Sequence, residues 1–224
     1  MIYDFDMDSG REVIEKLVTP RGEIQLQKRN NQYEIIYNGI FLMASYNGAS
    51  EEEMINRALN LLEDTQDVSI LIGGLGVGYS LKSALKFKNT KRIDIVEIEE
   101  SIIRWNKTYF KEINEYALSD PRVRVFNCDL SYYLLKCTDL YNLIAIDVDN
   151  GPDWIVLDSN RTLYKESTLL TMEKRLLPDG ILSLWSATQN NDFKYVLEDI
   201  FSSVEFIKSS DGNYIYLASN GSKT

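Results

Sequence analysis

The chain has 224 residues, with 24 basic and 34 acidic side chains, a net charge of −10 at pH 7 and no histidine. This length suits one medium domain or one α/β domain with an appendage, and roughly 70% of the unfolded surface can be buried at this size. The acidic balance argues against a nucleic-acid partner, because contacts to phosphate groups need a basic face. The absence of histidine excludes histidine bases, Ser-His triads and imidazole metal ligands.

The cysteines and the first residues predict a cellular compartment. Cys128 and Cys137 form no CxxC pattern, which favours reduced thiols in a cytosolic protein over a disulfide or a zinc site. The N-terminal residues are acidic without an apolar segment, and no apolar run approaches ~18 residues, so we expect neither a signal peptide nor a membrane span. We therefore expect a cytoplasmic protein without a metal ion. Its excess of acids serves solubility or attracts a small cationic substrate.

Residues 1–48 are predicted to form a small antiparallel β appendage. Asn38-Gly39 lies between two β-rich runs, and this dipeptide is the strongest short hairpin signal because both residues tolerate positive φ. A helix is predicted to follow at Glu51–Leu62, with Ser50 as its cap and Glu53 completing a capping box. The predicted strands of the appendage are Glu12–Thr19, Glu23–Lys28, Tyr33–Tyr37 and Ile40–Ser45.

Residues 49–224 alternate between strand and helix patterns and are predicted to form one α/β domain. Val68–Ile72 is an apolar run, as expected for a parallel strand covered on both faces. Seven strands with interleaved helices predict a doubly wound, mostly parallel sheet, and the hairpin-like step to the last strand predicts an antiparallel edge. Pro178-Asp179-Gly180 is predicted to stop the helix Lys165–Leu177 before the next strand begins. Those helices are Tyr79–Phe87, Ser101–Glu115, Ser131–Leu135, Lys165–Leu177 and Asp192–Phe201, and the further strands are Arg92–Ile98, Val123–Asn127, Leu143–Asp147, Ile181–Ser186, Val204–Lys208 and Tyr214–Ser219.

A glycine-rich loop follows the first strand of this domain. The glycines stand at 73, 74, 76 and 78, and such a loop forms a tight strand-to-helix turn or lets a ligand approach the backbone closely. A dinucleotide fingerprint needs glycines at i, i+2 and i+5, but Tyr79 or Leu81 occupies the third position, and no Gly-Lys-Ser/Thr phosphate motif follows. The remaining pattern, Gly74-x-Gly76-x-Gly78, suits a nucleoside without a pyrophosphate.

Acidic residues end the next two strands. Glu97 ends the second strand, where a carboxylate can accept both ribose hydroxyls. Asp129 follows the third strand, where it either accepts an adenine amino proton or caps the next helix. Because the ends of parallel strands share one edge of the sheet, the three features together predict an adenosine site.

These residues resemble the S-adenosylmethionine-dependent class I methyltransferase fold, and within it the spermidine synthase-like proteins. The resemblance covers about residues 22–219 and implies that residues 49–224 form the nucleoside-binding domain. It implies that the glycine loop, including Gly73, holds the methionine end of the donor, Glu97 the ribose and Asp129 the adenine, with Ile98 and Cys128 beside them. The family commonly self-associates, which implies a homo-oligomer such as a dimer. The resemblance rests on Gly73–Gly78, Val96–Glu99, Asp120–Val123 and Ile146–Pro152.

Four positions refine this resemblance. Ile72 stands where ordinary methyltransferases often have an acid, and spermidine synthases share an apolar residue there. Gly76 stands where spermidine synthases usually carry an acid, and Glu51 stands where they place a tyrosine. Asn150 replaces the second aspartate of their Asp-x-x-Asp-Pro loop. The donor half of the pattern is therefore matched more closely than the acceptor half.

Acidic residues also crowd the end of the fourth strand. Like charges packed together are costly unless a cation or a raised pKa relieves them, so we predict a site for a protonated amine. Three nearby aromatic residues are predicted to supply cation–π faces. The alternative is that the acids are solvated loop residues and the aromatics belong to the core. The predicted acceptor side comprises Asp147, Asp149 and Asn150 as catalytic residues and Glu51, Asp153, Trp154, Tyr164 and Trp185 as substrate-binding residues.

The resemblance implies a transferase that moves an aminopropyl group from decarboxylated S-adenosylmethionine to a small amine or polyamine. The first alternative is methyl transfer from S-adenosylmethionine to a small molecule, and the second is a non-catalytic protein that binds an adenosyl nucleoside. The missing third glycine argues against a dinucleotide-dependent oxidoreductase. A sulfonium carbon is already activated, so alignment supplies most of the catalysis and no metal is required.

Overall fold

The computed structural model describes residues 10–221, and the predicted appendage before Gly10 lies outside the described residues. The chain divides into two compact units, Met1–Asn47 and Gly48–Thr224. Each unit is built on its own sheet. Between residues 10 and 221, none of the helices combines the length and apolarity needed to cross a bilayer.

The first unit is an antiparallel sheet of four strands in chain order. Asn38 and Gly39 form the turn between its last two strands with φ of 49° and 77°, as the Asn-Gly sequence predicted. Ile24, Leu26 and Ile35 are fully buried and form the apolar centre of this sheet. The strands are β1 (Arg11–Thr19), β2 (Gly22–Arg29), β3 (Gln32–Tyr37) and β4 (Ile40–Ala44).

The second unit contains a seven-stranded sheet in the order β10-β11-β9-β8-β5-β6-β7. The strands β5 to β9 are mutually parallel, which confirms the predicted doubly wound, mostly parallel architecture. The strands are β5 (Val68–Gly73), β6 (Thr90–Glu97), β7 (Val123–Asn127), β8 (Tyr141–Ile146), β9 (Leu176–Ser186), β10 (Ser203–Lys208) and β11 (Tyr214–Ser219). The helices are α1 (Ala49–Asn60), α2 (Tyr79–Leu85), α3 (Glu100–Thr108), α4 (Leu130–Lys136), α5 (Glu166–Glu173) and α6 (Asn191–Ile200).

The last strand is antiparallel, as predicted, but it does not lie at the edge of the sheet. β11 pairs with β9 on one side and with β10 on the other, so β10 forms the edge. The burial of the two strands explains this order. Four consecutive residues of β11, 215–218, are buried, whereas β10 is partly exposed along its whole length. The more apolar strand takes the inner position.

Two local predictions are wrong. The predicted capping box does not form, because α1 begins at Ala49 and its hydroxyl and acid have other partners: Ser50 donates to Glu51, and Glu53 accepts from Arg57. The Pro178–Gly180 segment does not separate a helix from a strand, because it lies inside β9, after α5 has ended at Glu173. The ends of β5, β6, β7 and β8 meet at one edge of the sheet, and the candidate site is built there.

Candidate active site

The glycine loop, Gly73–Gly78, connects β5 to α2. Gly74, Gly76 and Gly78 have φ of 91°, 51° and 96°, which glycine adopts far more readily than other residues. A side chain at Gly74 would overlap the backbone carbonyl of Asp147, whose own amide donates to the Gly73 oxygen at 2.8 Å. The glycines therefore allow close contact between this loop and the end of β8, in addition to any approach by a ligand.

Two buried asparagines support the glycine loop and were missed in the sequence. Asn106 Nδ2 donates to the Gly76 carbonyl at 2.7 Å, and Asn114 Nδ2 donates to Asn106 Oδ1 at 2.8 Å and to the Val77 carbonyl at 3.4 Å. Each asparagine is 1% exposed. They satisfy carbonyl groups of a loop that has no polar side chain of its own. The available signal was a polar residue, Asn106, one turn after Ile102 and next to Trp105 on the buried face of α3.

Glu97 lies at the end of β6, beside the glycine loop. Its Oε2 accepts from the Leu75 amide at 3.0 Å and its Oε1 accepts from the Glu99 amide at 2.8 Å. The side chain is buried, and burial raises the pKa of Glu97 to about 7 despite these hydrogen bonds. The neighbouring Ile98 is half-buried, and its carbonyl accepts from Asn127. Each Glu97 oxygen has a further lone pair with which it can accept a ribose hydroxyl.

Asp129 is the N-terminal cap of α4, which is the second of the two roles predicted for it. Its Oδ1 accepts from the Tyr132 amide at 2.9 Å, so the side chain caps the helix. This bond uses one carboxylate oxygen, which leaves the residue chemically able to accept an adenine amino proton as well. Cys128 beside it is a half-buried free thiol, and burial raises its pKa.

Asp147 follows β8 and lies against the glycine loop. Its Oδ2 accepts from Ser80 Oγ at 2.9 Å, and Ser80 belongs to the first turn of α2, directly after the loop. Burial in protein raises the pKa of Asp147 to about 6. The carboxyl group is therefore placed where the glycine loop meets α2.

Glu51 lies in the first turn of α1 and is 5% exposed. Its Oε2 accepts from Ser50 Oγ at 2.8 Å. Burial, followed by the neighbouring charge of Asp147, raises the pKa of Glu51 to about 8. The same surroundings raise the pKa of Tyr79 to about 12, first through burial and then through Glu52 and Glu51. Glu51 and Asp147 are thus two neighbouring carboxyl groups in a dry environment.

Asp149 holds the loop that follows β8. Its Oδ1 accepts from the amides of Asn150 and Val156 at 2.9 and 2.8 Å. Its Oδ2 accepts from the Leu157 amide at 3.2 Å and from Asn160 Nδ2 at 3.0 Å. Asn150 is buried, and its carbonyl accepts from the Ala187 amide at 3.1 Å. In this structure the carboxylate of Asp149 therefore stabilises the loop, and its four hydrogen bonds leave it little capacity for a substrate.

The remaining predicted acceptor residues occupy different surroundings. Asp153 and Trp154 are exposed, and the Asp153 carboxylate accepts from Thr188 and Asn190. Tyr164 is half-buried with its ring edge against Phe193, and burial followed by the charges of Asp149 and Asp147 raises its pKa. Trp185 is half-buried and donates its indole N–H to Ser50 Oγ at 2.9 Å. Glu51 and Tyr164 are therefore in electrostatic contact with Asp147, and Trp185 contacts the serine that donates to Glu51, whereas the pair 153–154 is exposed.

The raised pKa values of Glu51, Glu97 and Asp147 predict how stability depends on pH. Each carboxyl group keeps its proton to a higher pH in the folded chain than in the unfolded chain, so its contribution is complete below the unfolded pKa and is lost as the pH rises through the folded pKa. We expect the melting temperature of the free protein to fall between about pH 5 and pH 8. Glu51→Gln, which keeps a neutral group of the same shape, is expected to match the parent at pH 5 and to exceed it at pH 8. Scanning calorimetry at both pH values measures the melting temperatures. The same difference in melting temperature between the two proteins at pH 5 and at pH 8 would contradict the prediction.

The chain is similar in sequence to the spermine/spermidine synthase domain, whose family model matches residues 48–217. It is 29% identical over 212 residues to the polyamine aminopropyltransferase of Prochlorococcus marinus strain MIT 9215, covering 88% of this chain and 72% of that protein. It is 30% identical over 168 residues to the corresponding protein of strain AS9601, covering 74% of this chain and 56% of that protein. The matched regions thus span 56% to 72% of the length of these two relatives.

Solved structures show the same fold at low sequence identity. Spermidine synthase from Thermotoga maritima matches with a TM-score of 0.77 at 17% identity, over 93% of this chain and 73% of that chain. A spermidine synthase in complex with the transition state analogue AdoDATO matches with a TM-score of 0.79 at 18% identity, over 93% and 74%. Human methyltransferase-like protein 13 in complex with SAH matches with a TM-score of 0.59 at 20% identity, over 77% and 80%. The family model covers most of the chain, and the chain therefore belongs to the spermine/spermidine synthase family.

Proposed function

We propose that this chain transfers an aminopropyl group from decarboxylated S-adenosylmethionine to a small amine. The observation that carries the proposal is the pair of carboxyl groups, Glu51 and Asp147, beside the glycine loop. Lys82, a cation of the adjacent helix α2, is ion-paired to Glu52 at 2.7 Å and does not neutralise the pair. A site of this charge favours ligands that bring an ammonium group.

The same charge discriminates between the two donors. S-adenosylmethionine carries a carboxylate beside its amino group, whereas the decarboxylated donor carries the ammonium group alone. A third carboxylate next to Glu51 and Asp147 would be repelled, and an ammonium group would be attracted. The polyamine aminopropyltransferase names of the sequence relatives support this choice.

The proposed reaction is a single displacement at carbon. The lone pair of the acceptor amine attacks the methylene carbon bound to the sulfonium sulfur, the C–S bond breaks and its electron pair stays on sulfur. The products are methylthioadenosine and an elongated amine. The attacking nitrogen must first lose a proton, and we assign the acceptance of that proton to Asp147, whose backbone contacts the glycine loop and whose carboxylate accepts from Ser80 at the start of α2. The glycine loop and Glu97 align the donor for this attack.

Methyl transfer is the second candidate. It is favoured by Asn150 and Gly76, which stand where the spermidine synthase pattern has acids. A non-catalytic nucleoside-binding role remains the third reading of the same departures.

Product analysis by mass separates these functions. The chain is incubated with each donor and a panel of small diamines and triamines at pH 8. We expect methylthioadenosine and an amine lengthened by one aminopropyl group, with the decarboxylated donor only. S-adenosylhomocysteine with a methylated product would instead establish the second candidate. Binding of methylthioadenosine without turnover of either donor would contradict both reactions and favour a binding protein.

A further inference from the structure

The hydroxyl of Ser50 lies at the centre of a buried network behind Glu51. Ser50 is fully buried, and its Oγ accepts from Trp185 Nε1 at 2.9 Å and from Asn213 Nδ2 at 3.1 Å. Oγ also lies 2.8 Å from Glu51 Oε2. A hydroxyl has one proton and two lone pairs. Because the two N–H donors occupy both lone pairs, the single proton of Ser50 is directed to Glu51.

The backbone of Ser50 is fixed as well. Its amide donates to Asp211 Oδ2 at 3.2 Å, and Asp211 Oδ1 accepts from Ser209 Oγ at 2.6 Å. Asp211 and Asn213 belong to the hairpin that joins β10 to β11, while Trp185 belongs to β9. Two elements distant in sequence, β9 and the hairpin, thus converge on Ser50 of α1.

We propose that Ser50 is a positioning residue of the amine site. Its only proton is donated to Oε2 of Glu51. Oε1 is therefore the atom that carries the carboxyl proton in the free protein and that meets the ammonium group of a substrate. This inference rests on the proposed function, because it requires that the site takes an amine. The charged and titratable groups that face Glu51 are Asp147 from the end of β8, Tyr79 from α2 and Asp211 from the hairpin, while Lys82 of α2 is paired with Glu52.

The proposal implies a balanced proton exchange. Near neutral pH the free site holds a proton on Glu51. When an ammonium group binds, Glu51 becomes a carboxylate, its proton leaves to solvent, and the Ser50 hydroxyl stabilises the charge on Oε2. Amine binding is therefore expected to weaken as the pH falls, and to release a proton near neutral pH.

Titration calorimetry tests this with 1,4-diaminobutane as the probe and methylthioadenosine present at saturation, between pH 6.5 and 9. Ser50→Ala removes a hydrogen bond to the charged form, so the pH at which half of the amine affinity is lost should rise by about one to two units. Ser50→Cys keeps a weaker donor of similar size and should give a smaller shift in the same direction. Glu51→Gln should abolish the proton release measured in buffers of different ionisation enthalpy.

A matched control separates positioning from a structural role. Ser83 is also a fully buried serine at the α1–α2 contact, where its hydroxyl donates to Asn56 Oδ1 at 2.7 Å and not to Glu51. Ser83→Ala should lower the melting temperature without moving the pH profile of amine binding. If Ser50→Ala and Ser50→Cys behave in the same way as Ser83→Ala, the inference is overturned while the proposed function stands. If the parent binds methylthioadenosine but no diamine at any pH, the proposed function fails and the inference fails with it.

Discussion

Asp147→Asn is expected to lower kcat/KM for aminopropyl transfer by about 100-fold to 10,000-fold, the range lost when a general base is removed. The amide has the same shape, and its oxygen can still accept from Ser80 Oγ, so the glycine loop and α2 should keep their contacts. The affinity for methylthioadenosine is therefore expected to change by less than about twofold. Steady-state kinetics with 1,4-diaminobutane and calorimetry with methylthioadenosine measure the two quantities.

Two further aspartates of the same segment sharpen this result. Asp158 is exposed and ion-paired only weakly, to Arg161 at 3.4 Å, so Asp158→Asn should leave activity and stability unchanged. Asp149→Asn should act on stability, because an amide cannot accept all four hydrogen bonds that the carboxylate accepts. An unchanged kcat/KM in Asp147→Asn, or a loss of methylthioadenosine affinity equal to the loss of activity, would contradict the role assigned to Asp147.

Gly74→Ala is expected to weaken methylthioadenosine binding at least about 100-fold and to destabilise the fold. Positive φ costs a non-glycine residue about 1–2 kcal/mol. The added methyl group would also overlap the carbonyl of Asp147, which is backbone and cannot rotate away. The loop and the end of β8 must then separate, and this displaces both the proposed donor site and the Asp147 carboxyl group.

Gly39→Ala is the matched control for this variant. Gly39 has φ of 77°, and a side chain there would meet nothing within 4 Å. It should therefore show the conformational cost alone, with full affinity for methylthioadenosine. Denaturant titrations give the unfolding free energies of both variants, and the difference between the two destabilisations is the steric cost of the methyl group at Gly74. Equal destabilisation of the two variants with retained nucleoside affinity in Gly74→Ala would show that the loop tolerates the contact.

The sequence predicted the architecture because the relevant signals are local. Three features can be recognised from neighbouring residues alone: the apolar run at 68–72, the glycines after it and Glu97 at the end of the next strand. Each lies where the geometry of parallel strands requires. The position of β11 was not predictable in this way. A hairpin signal fixes direction, but which of two paired strands takes the inner place depends on burial against the rest of the sheet.

The acceptor side was harder to predict for a related reason. Asp147 and Asp149 look equivalent in the sequence, yet one lies against the glycine loop and the other accepts hydrogen bonds from its own loop. Ser50 looked like a helix cap, and its real partners, Trp185 and Asn213, are more than a hundred residues away. Hydrogen bonds between residues so far apart in the chain cannot be predicted from a single sequence, because neither partner belongs to a local motif.

The inner position of β11 has a consequence for how the site is assembled during synthesis. The residues of the proposed donor site, up to Asp147, leave the ribosome well before the β10–β11 hairpin. Until β10 and β11 are made, the edge of β9 is open and Ser50 lacks the contacts from Asp211 and Asn213. A nascent chain can therefore complete the proposed nucleoside site first, and the proposed amine site is complete only when the last strand has been made. Loss of a segment that includes the β10–β11 hairpin would for the same reason remove these hydrogen bonds from Ser50.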